Sequence, residues 1–474
     1  MEIIGRKQEI KALTSYMESG KPEFLAVYGR RRVGKTFLIK EFFRNRFAFY
    51  CTGRFDGSKE EQLQMFNIAL NKYGKTPYPQ KNDWLESFLQ LEQLIKTAKS
   101  PGRKVIFIDE MPWLDTRASG FLSALEYFWN SFASARPDVF LIACGSATSW
   151  IVKKLFENTG GLFNRVTRRM ALKPFTLAEC EAFFHSRHIV LNRYQIVEAY
   201  MIFGGIPFYL DQFRPDYGLA QNVDFLCFGE NAPLKDEYQV LYKTLFKNDE
   251  NHRKIVTALA GKLSGLPREE IVSVANLPDG GTLTKVLDEL ESSGFIRKYH
   301  GYAKKSRGAL YQLTDPFTLF WRRFLAEGGN NDAAFWAKSL SAGSQNAWRG
   351  YAFELVCLAH EEQIRKALGI AGVVANTSAW RSNGNGDYAP GAQIDLVIDR
   401  ADHIINLCEI KYALREFAID KSYAERLEAK IRAFAEETKT RKGLHMTFVT
   451  TYGVKRNQYA YLAQSEVTMQ DLFG

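Results

Sequence analysis

Residues 24–36 read FLAVYGRRRVGKT, in which an apolar run is followed by a glycine-rich turn and a Lys-Thr pair. The apolar run, residues 24–28, predicts a buried strand, and the residues after Thr36 predict a helix. Residues 29–36 match the pattern GxxxxGK[ST], whose backbone N–H groups surround a phosphate group. A strand before this loop and a helix after it distinguish it from an ordinary glycine-rich turn. The stretch therefore predicts an α/β fold with a phosphate-binding loop.

Two more apolar runs of the same kind occupy residues 105–108 and 139–143, with longer amphipathic stretches between them. Such alternation predicts buried parallel strands connected by helices. The first of these runs is followed directly by Asp109 and Glu110. Beside a phosphate loop, Asp109 would hold Mg²⁺ and Glu110 would polarise the attacking water. We place this α/β core at residues 1–158.

The chain has 474 residues, a net charge of +10, 46% hydrophobic residues and 24% charged residues. Its length predicts three domains, or four small ones. Its composition excludes disordered, collagen-like and coiled-coil proteins, and the basic excess is suited to a partner rich in phosphate. Six scattered cysteines without a CxxC pair predict buried reduced thiols. Because the sequence has no signal core and no long apolar stretch, we expect a soluble cytoplasmic protein with no membrane partner.

Helical patterns replace strand patterns after the α/β core. Residues 159–236 predict a small helical lid, and residues 237–326 predict three helices and a β-hairpin, the order found in a winged helix. The hairpin turn carries Lys304, Lys305 and Arg307, which are suited to phosphate contacts. Acidic residues on the third helix oppose such contacts. A DNA-binding role and a structural role for this domain therefore both remain open.

The last predicted domain, residues 333–474, opens with a helix over residues 346–368. Three acidic residues and a lysine follow the order helix, strand, strand: Glu354, Asp395, Glu409 and Lys411. Alternation along a strand places Glu409 and Lys411 on the same face. Two carboxylates beside a lysine can bind Mg²⁺ and activate the water that attacks a phosphodiester. The alternative is a half-exposed strand in which charged and apolar residues simply alternate.

Several stretches together resemble one family of nucleotide-binding proteins. They are residues 4–6 (IGR), the loop at 29–36, the pair at 109–110 (DE), residues 144–146 (CGS), residues 165–175 and residues 204–207 (GGIP). This set resembles the archaeal-type ATPases, on the AAA+ and STAND side of the P-loop superfamily, which often carry a winged helix and a C-terminal nuclease-like domain. The last domain resembles the PD-(D/E)XK nucleases, with Glu354 as the extra acidic residue of the preceding helix.

The motifs and this resemblance imply an ATP site with Mg²⁺. The residues expected to contact the nucleotide are Gly5, Arg6, Gly29, Arg30, Arg31, Arg32, Val33, Gly34, Lys35, Thr36, Phe37, Asp109, Ser146 and Pro207. The expected metal ligands are Thr36 and Asp109 at the ATP site, and Glu354, Asp395 and Glu409 at the nuclease-like site. By the resemblance, Arg6 would border the adenine, Ser146 would sense the γ-phosphate and Pro207 would lie in the lid.

The expected catalytic residues are Lys35, Glu110 and Arg165 for ATP hydrolysis, and Asp395, Glu409 and Lys411 for phosphodiester cleavage. Arg165 is the candidate arginine finger, and its alternative is a solvated basic face. We expect an ATPase whose nucleotide state controls the binding or cleavage of nucleic acid, DNA in preference to RNA, and which can form a homo-oligomer. The alternatives are a nucleotide-dependent signalling switch with a non-catalytic C-terminal domain and a winged-helix regulator.

Overall fold

The computed structural model describes residues 2–98, 102–157, 160–162, 164–246, 248–302, 308–326, 332–340, 343–382 and 391–474. The chain divides into two compact units. The first holds Met1–Pro174 with the segments Lys243–Lys247 and Asp288–Gly294, and the second holds Phe175–Tyr242, Asn248–Leu287 and Phe295–Gly474. The phosphate loop therefore belongs to the first unit and the C-terminal acidic residues belong to the second.

The first unit is built on a five-stranded parallel sheet. Its strands are β1 (Glu23–Tyr28), β2 (Phe49–Thr52), β3 (Lys104–Asp109), β4 (Val139–Gly145) and β5 (Arg168–Ala171), in the order β2-β3-β4-β1-β5. β3 and β4 are buried along their whole length, as parallel strands covered on both faces are. Because the carboxyl ends of parallel strands meet at one edge, the residues that follow β1, β3 and β4 come together there.

The helices of the first unit are α1 (Lys7–Glu18), α2 (Lys35–Phe42), α3 (Lys59–Tyr73), α4 (Trp84–Thr97), α5 (Met111–Leu114), α6 (Phe121–Ser131) and α7 (Thr148–Ile151), with a 3₁₀ turn at Ala133–Ala135 and a π-helical turn at Val152–Phe156. Ser58 and Glu61 form a capping box that starts α3. Trp84 and Phe88 of α4 pack their rings against Phe121 of α6. These aromatic contacts belong to the core that joins the helices to the sheet.

The second unit begins with a run of helices. They are α8 (Leu177–Ser186), α9 (Arg193–Phe203), α10 (Pro207–Leu210), α11 (Leu219–Cys227) and α12 (Glu237–Leu245). Capping boxes start α8 at Thr176 and α9 at Asn192. Between α9 and α10, Gly205 has φ +65°, and a Cβ there would lie 2.3 Å from the carbonyl oxygen of Phe175. The turn between these helices therefore requires glycine.

A helix–hairpin module follows. It consists of α13 (Glu250–Gly261), β6 (Leu266–Pro267), α14 (Arg268–Ala275), α15 (Gly281–Ser292), β7 (Ile296–Tyr299) and β8 (Leu310–Leu313), with an antiparallel sheet ordered β6-β8-β7. The three helices and the hairpin lie where the sequence predicts them, and β6 is an addition. The predicted turn residues Lys304, Lys305 and Arg307 lie outside the described ranges. The module is followed by α16 (Pro316–Phe324), α17 (Phe335–Ser339) and a 3₁₀ turn at Gly343–Gln345.

The C-terminal part contains α18 (Asn346–Ala359), α19 (Glu361–Ala367), β9 (Ala375–Ser382), β10 (Ala392–Arg400), β11 (Ile404–Lys411), α20 (Lys421–Thr438), β12 (Gly443–Thr450) and β13 (Ser465–Thr468), with 3₁₀ turns at Ala460–Leu462 and Asp471–Phe473. The strands form one mixed sheet ordered β13-β12-β11-β10-β9. β9, β10 and β11 are antiparallel, whereas β11, β12 and β13 are parallel. Leu427 and Phe434 of α20 belong to the core of this sheet.

Some features differ from the sequence analysis. The parallel sheet extends past residue 158, because β5 pairs with β1. The helix predicted over residues 346–368 is divided at His360 into α18 and α19. All six cysteines are free and buried, as predicted. Within the described ranges, none of the helices combines the length and apolar character needed to cross a membrane.

Candidate functional site

The phosphate loop connects β1 to α2, and two of its glycines have left-handed backbone conformations. Gly29 has φ +135°, and a Cβ on it would lie 2.3 Å from the carbonyl oxygen of Leu172. Gly34 has φ +88° and precedes the first residue of α2. The free N–H groups at the start of α2 point toward the loop, which is the arrangement that binds anions. Residues 29–36 therefore form the loop that the sequence predicts.

Lys35 is the buried cation of this loop, with 5% of its surface exposed. Its Nζ donates hydrogen bonds to the carbonyl oxygens of Gly29 and Arg30, both at 2.8 Å, and to Ser146 Oγ at 3.2 Å. Burial lowers the pKa of Lys35, while nearby carboxylates, among them Glu110, oppose this shift. The loop thus holds the ammonium group in place with neutral oxygens. Phosphate oxygens can replace these acceptors and supply negative charge.

Thr36 and Asp109 lie together at the end of β3. Thr36 Oγ1 donates to Asp109 Oδ2 at 2.8 Å, and the backbone N–H of Glu110 donates to Asp109 Oδ1 at 3.0 Å. Burial, followed by the neighbouring Glu110, raises the pKa of Asp109. A hydroxyl and a carboxylate are hard oxygen donors of the kind that Mg²⁺ prefers. The donor chemistry of this pair therefore fits Mg²⁺, whose charge would favour the ionised form of Asp109.

Glu110 is fixed by Ser146, which follows β4. Ser146 donates from its backbone N–H to Glu110 Oε2 at 3.1 Å and from its hydroxyl to Oε1 at 2.7 Å. Glu110 itself has a left-handed backbone conformation, with φ 43°. Because the same hydroxyl accepts a hydrogen bond from Lys35, Ser146 links the loop lysine to the Glu110 carboxylate.

Arg6 supports the phosphate loop from the segment before α1. Arg6 is buried, with φ 56°, and follows Gly5. Its guanidinium donates to the carbonyl oxygen of Val33 at 3.1 Å and lies 3.6 Å from the carboxylate of Glu9. The guanidinium therefore orders the loop. The adenine contact expected of this segment stays a prediction.

The other residues in or next to the loop that are expected to contact the nucleotide are buried to different extents. Arg30 and Val33 are buried, Arg31 and Arg32 are half-buried, and Phe37 is 38% exposed on α2. Sequence reasoning missed Cys144, a buried residue of β4 whose side chain contacts the Asp109 carboxylate. Its position inside an apolar run pointed only to the core.

Arg165 and Pro207 remain predictions. Arg165 is exposed on a turn, where its backbone N–H donates to the carbonyl oxygen of Leu162. That turn packs against α6, since Asn130 donates to the carbonyl oxygen of Gly161. Pro207 is the first residue of α10 and belongs to the second unit, whereas the phosphate loop belongs to the first.

The C-terminal acidic residues come together on α18, β10 and β11. β10 and β11 are antiparallel with Leu396 opposite Cys408, the neighbours in sequence of Asp395 and Glu409. The charge of Glu409 acts on Asp395, so the two carboxyl groups lie near each other. We call Glu354, Asp395, Glu409 and Lys411 the carboxylate centre. Burial and then Asp395 raise the pKa of Glu354 to about 8. Burial also raises the pKa of Asp395. In both groups burial is the largest cause, and a neighbouring carboxylate adds to it, Asp395 for Glu354 and Glu409 for Asp395.

Glu409 has a different environment, because it is paired with two lysines. Lys430 Nζ lies 2.6 Å and Lys411 Nζ 2.9 Å from its carboxylate oxygens, and the hydroxyl of Tyr423 donates to it at 2.5 Å. Burial opposes ionisation of Glu409, but Lys430 and Lys411 lower its pKa below the ordinary value. Lys430 and Tyr423 lie on α20 and were missed by sequence reasoning, which had no signal for their position.

The predicted metal set of Glu354, Asp395 and Glu409 is not formed as a three-carboxylate cluster. Across the described ranges, no group of three or more His, Cys, Asp or Glu side chains is arranged to hold a metal ion. The physical reason is the pairing of Glu409 with Lys411 and Lys430, which directs its carboxylate toward ammonium groups. As it stands, this centre does not offer three carboxylate ligands to one ion.

The hairpin of the helix–hairpin module also contributes to the carboxylate centre. Arg297 of β7 donates to Gln312 Oε1 of β8 at 2.6 Å. The Gln312 side chain hydrogen-bonds to Glu354, and the charge of Arg297 favours the ionised form of that carboxyl group. These two residues were also missed, because nothing in a hairpin sequence reports which helix packs against it.

Part of the chain is similar to a known family of proteins. Residues 3–213 match the sequence model of the family described as an ATPase domain predominantly from Archaea. An uncharacterized protein of Methanocaldococcus jannaschii is 24% identical over 428 residues, which are 89% of this chain and 90% of that protein. An uncharacterized ATP-binding protein of the same organism is 44% identical over 43 residues, 9% of this chain and 73% of that protein.

Among solved structures, a Walker-type ATPase of Pyrococcus abyssi aligns with 68% of this chain and 96% of its own chain, at 19% identity and a TM-score of 0.51. At this identity the likeness shows a shared fold. Residues 3–213, which include the phosphate loop at residues 29–36, are thus similar to the ATPase domains of that family.

Proposed function

We propose that the first unit binds ATP with Mg²⁺ and hydrolyses it at the end of the parallel sheet. The observation that carries this proposal is the continuous set of contacts from Lys35 through Ser146 to Glu110. In this proposal Lys35 binds the β- and γ-phosphates, and Glu110 orients the attacking water and polarises it. Ser146 keeps the Glu110 carboxylate in position.

Thr36 and Asp109 would hold Mg²⁺, directly or through water, and the ion would neutralise charge on the phosphate oxygens. The Thr36–Asp109 hydrogen bond supports this assignment, because it already places the two donors beside each other. The Asp109 carboxylate accepts a hydrogen bond from Thr36 and the Glu110 carboxylate accepts one from Ser146, so the two neighbouring carboxylates can serve different tasks.

The test is release of inorganic phosphate from ATP by the full chain in Mg²⁺. We expect Lys35→Ala to lose ATP binding, and Glu110→Gln to keep ATP binding while kcat falls by about a hundredfold or more. Lys11→Ala, on an exposed position of α1, is the control for loss of positive charge. Unchanged phosphate release by Glu110→Gln would contradict the assignment of the base.

We further propose that the second unit acts on nucleic acid, with the helix–hairpin module as a winged helix and the C-terminal sheet as a PD-(D/E)XK-like domain. The nearness of Asp395 and Glu409, whose charge acts on Asp395, and the Glu409–Lys411 ion pair support this proposal. A divalent cation near Glu354 and Asp395 would favour their ionised forms, which burial and then the neighbouring carboxylates disfavour, and movement of Glu409 away from its lysines would supply a further ligand.

This second proposal is tested by cleavage of end-labelled single- and double-stranded DNA and RNA in Mg²⁺ or Mn²⁺, with and without ATP. We expect cleavage of DNA in preference to RNA, and its loss in Asp395→Asn and Lys411→Ala. Asp402→Asn, at an exposed aspartate paired with Arg400 in the turn after β10, is the matched control. If ATP is hydrolysed and none of the nucleic acids is cleaved, the signalling-switch alternative is favoured.

The proposed coupling between nucleotide state and nucleic acid has a structural candidate inside the second unit. Tyr412, the residue after Lys411, donates to Glu198 of α9 at 3.1 Å and contacts the hydroxyl of Tyr194. Helix α9 lies in the predicted lid, so its movement would act directly on the end of β11. We expect Tyr412→Phe to weaken the effect of ATP on cleavage without changing phosphate release.

A homo-oligomer is tested by sedimentation with and without ATP.

A further inference from the structure

A cavity of about 420 Å³ lies between the helix–hairpin module and the C-terminal sheet. Its walls include Lys262 and Ser264 from the loop after α13, Tyr299 from β7, and Trp380, Arg381 and Gln393 from β9 and β10. A second cavity of about 530 Å³ lies along the same hairpin segment and shares Tyr299, Gly301 and Tyr302 with the first. The hairpin segment thus borders two cavities.

Hydrogen bonds fix the walls of this cavity to each other. The backbone N–H of Tyr302 donates to the carbonyl oxygen of Ala379 at 2.8 Å, which ties the hairpin to β9. The hydroxyl of Tyr299 donates to the carbonyl oxygen of Ser264 at 2.6 Å. Arg381 donates to Ser264 Oγ at 2.7 Å. The cavity is therefore a built feature with walls from two modules.

The cavity leads to the carboxylate centre through Gln393. The side-chain amide of this wall residue donates to Asp395 Oδ1 at 2.6 Å. A molecule in the cavity therefore lies one side chain away from Asp395. Asp395 and Glu354 are both partly exposed.

The walls carry two positive and two negative side chains, so an anionic group would be bound locally, by Arg381. Lys262 is paired with Glu270 at 2.5 Å, whereas Glu437 accepts a hydrogen bond from the neutral hydroxyl of Ser382. Arg381 is exposed and donates hydrogen bonds to the hydroxyl oxygen of Ser264 and the amide oxygen of Gln393. Both acceptors are neutral, so they do not compensate the positive charge of Arg381. Aromatic rings and a guanidinium beside a cavity of this size are suited to a base and a phosphate.

We propose that this cavity binds one nucleotide of a single-stranded nucleic acid, with Arg381 on a backbone phosphate and the base against Tyr299 and Tyr302. The proposal rests on the proposed action of the second unit on nucleic acid, and it adds the class of substrate. A cavity of about 420 Å³ is of a size that suits one nucleotide. An unpaired base can enter it directly, whereas a base inside a duplex must first leave its stack, at a cost in free energy. The strand would continue from the cavity toward Asp395.

The test uses the full chain carrying Ser264→Cys, because all six native cysteines are buried and the introduced thiol is accessible to a maleimide. The rate of labelling is measured in EDTA, so that no cleavage occurs, with a single-stranded oligothymidylate of about twelve nucleotides and with a hairpin duplex as separate probes. Val190→Cys, at a position that is 91% exposed, is the control thiol. Fluorescence anisotropy of labelled probes reports total binding in the same samples.

We expect saturating single strand to slow labelling at Ser264→Cys by about tenfold, the duplex to slow it little, and Val190→Cys to be unaffected. Arg381→Ala should weaken single-strand binding and reduce its salt dependence, with partial rescue by Arg381→Lys. Unchanged labelling while the single strand is bound would overturn the cavity proposal but leave the nuclease proposal standing. Equal protection by the duplex would overturn the single-strand assignment. Absence of both binding and cleavage would overturn both proposals.

Discussion

The hydroxyl of Ser146 donates a 2.7 Å hydrogen bond to the carboxylate of Glu110 and also accepts a hydrogen bond from Lys35. One small side chain at the end of β4 therefore holds both the cation of the phosphate loop and the proposed base. If this link positions Glu110, Ser146→Ala should lower kcat for ATP hydrolysis by about one to two orders of magnitude with little change in ATP affinity. Phosphate release and binding of a fluorescent ATP analogue measure the two effects separately.

The matched control for this prediction is Ser149→Ala, in the short helix α7 that follows Ser146. It should leave both kcat and affinity unchanged. Equal kcat values for Ser146→Ala and the wild type would mean that Glu110 is positioned by its own backbone and that the Ser146 contact has no catalytic role.

The two loop glycines give a second prediction, because their backbone angles are both positive but their surroundings differ. A Cβ at Gly29 would lie 2.3 Å from the carbonyl oxygen of Leu172, whereas a Cβ at Gly34 would meet nothing within 4 Å. Gly29→Ala should therefore displace the loop and abolish ATP binding. Gly34→Ala should add backbone strain of about 1–2 kcal/mol without displacing any protein atom, and so weaken ATP binding less than Gly29→Ala. ATP affinity and thermal unfolding of the two variants check this order, and the reverse order would contradict the loop geometry.

The buried carboxylate of Glu409 depends on its two lysines. Lys430→Met removes the nearer ammonium group, which lies 2.6 Å away, and leaves Lys411 at 2.9 Å. We expect the free energy of unfolding of the second unit to fall by about 2 kcal/mol, because a buried charge loses a partner. Denaturant unfolding measures this change. Glu409→Gln in the Lys430→Met background should recover part of the loss, and an unchanged loss would show that Lys430 stabilises through packing alone.

His360 predicts a pH dependence of stability. Its Nε2 accepts a hydrogen bond from the backbone N–H of Leu177 at 2.9 Å, so Nδ1 carries the proton and donates to the carbonyl oxygen of Val356 at 2.8 Å. Burial lowers the pKa of His360 from 6.5 to about 4. The imidazole is therefore neutral in the folded protein. In the unfolded chain the same imidazole binds a proton as the pH falls below the ordinary pKa of histidine. Stability present above pH 6.5 should be lost as the pH falls toward 4.

The loss from this one group should reach about 3 kcal/mol at the low end of that range. Urea unfolding of the wild type and of His360→Gln at a series of pH values isolates it, because the variant should show a shallower pH dependence. His185→Gln, at an exposed histidine of α8, is the control and should behave like the wild type. Parallel pH profiles for the wild type and His360→Gln would contradict a neutral buried imidazole.

Much of the ATP site follows from local sequence. An apolar run followed by two spaced glycines and a Lys-Thr pair specifies its own strand, turn and helix, so β1, the loop and α2 could be predicted. β5 could not, because its residues 168–171 read RRMA and only Met170 is buried. An edge strand with such a pattern is recognisable only when its partner β1 is known.

The carboxylate centre shows a second limit of sequence reasoning. Alternation along a strand predicts which residues share a face, and it predicts that Glu409 and Lys411 do so. Asp395 lies on the strand predicted just before them. The pairing of Glu409 with Lys430 joins residues 21 positions apart across a helix and a strand. The approach of Arg297 and Gln312 to Glu354 joins two different modules. Contacts of this kind depend on packing, and they decide that Glu409 faces ammonium groups in this structure.

The most direct experiment measures phosphate release from ATP and cleavage of a labelled DNA strand in the same reaction. The wild type is compared with Lys35→Ala and Asp395→Asn. We expect Lys35→Ala to lose phosphate release together with any ATP-dependent cleavage, and Asp395→Asn to lose cleavage and keep phosphate release. Phosphate release by Lys35→Ala at the wild-type rate would contradict the central claim, because the loop at residues 29–36 would then not be the site of ATP hydrolysis.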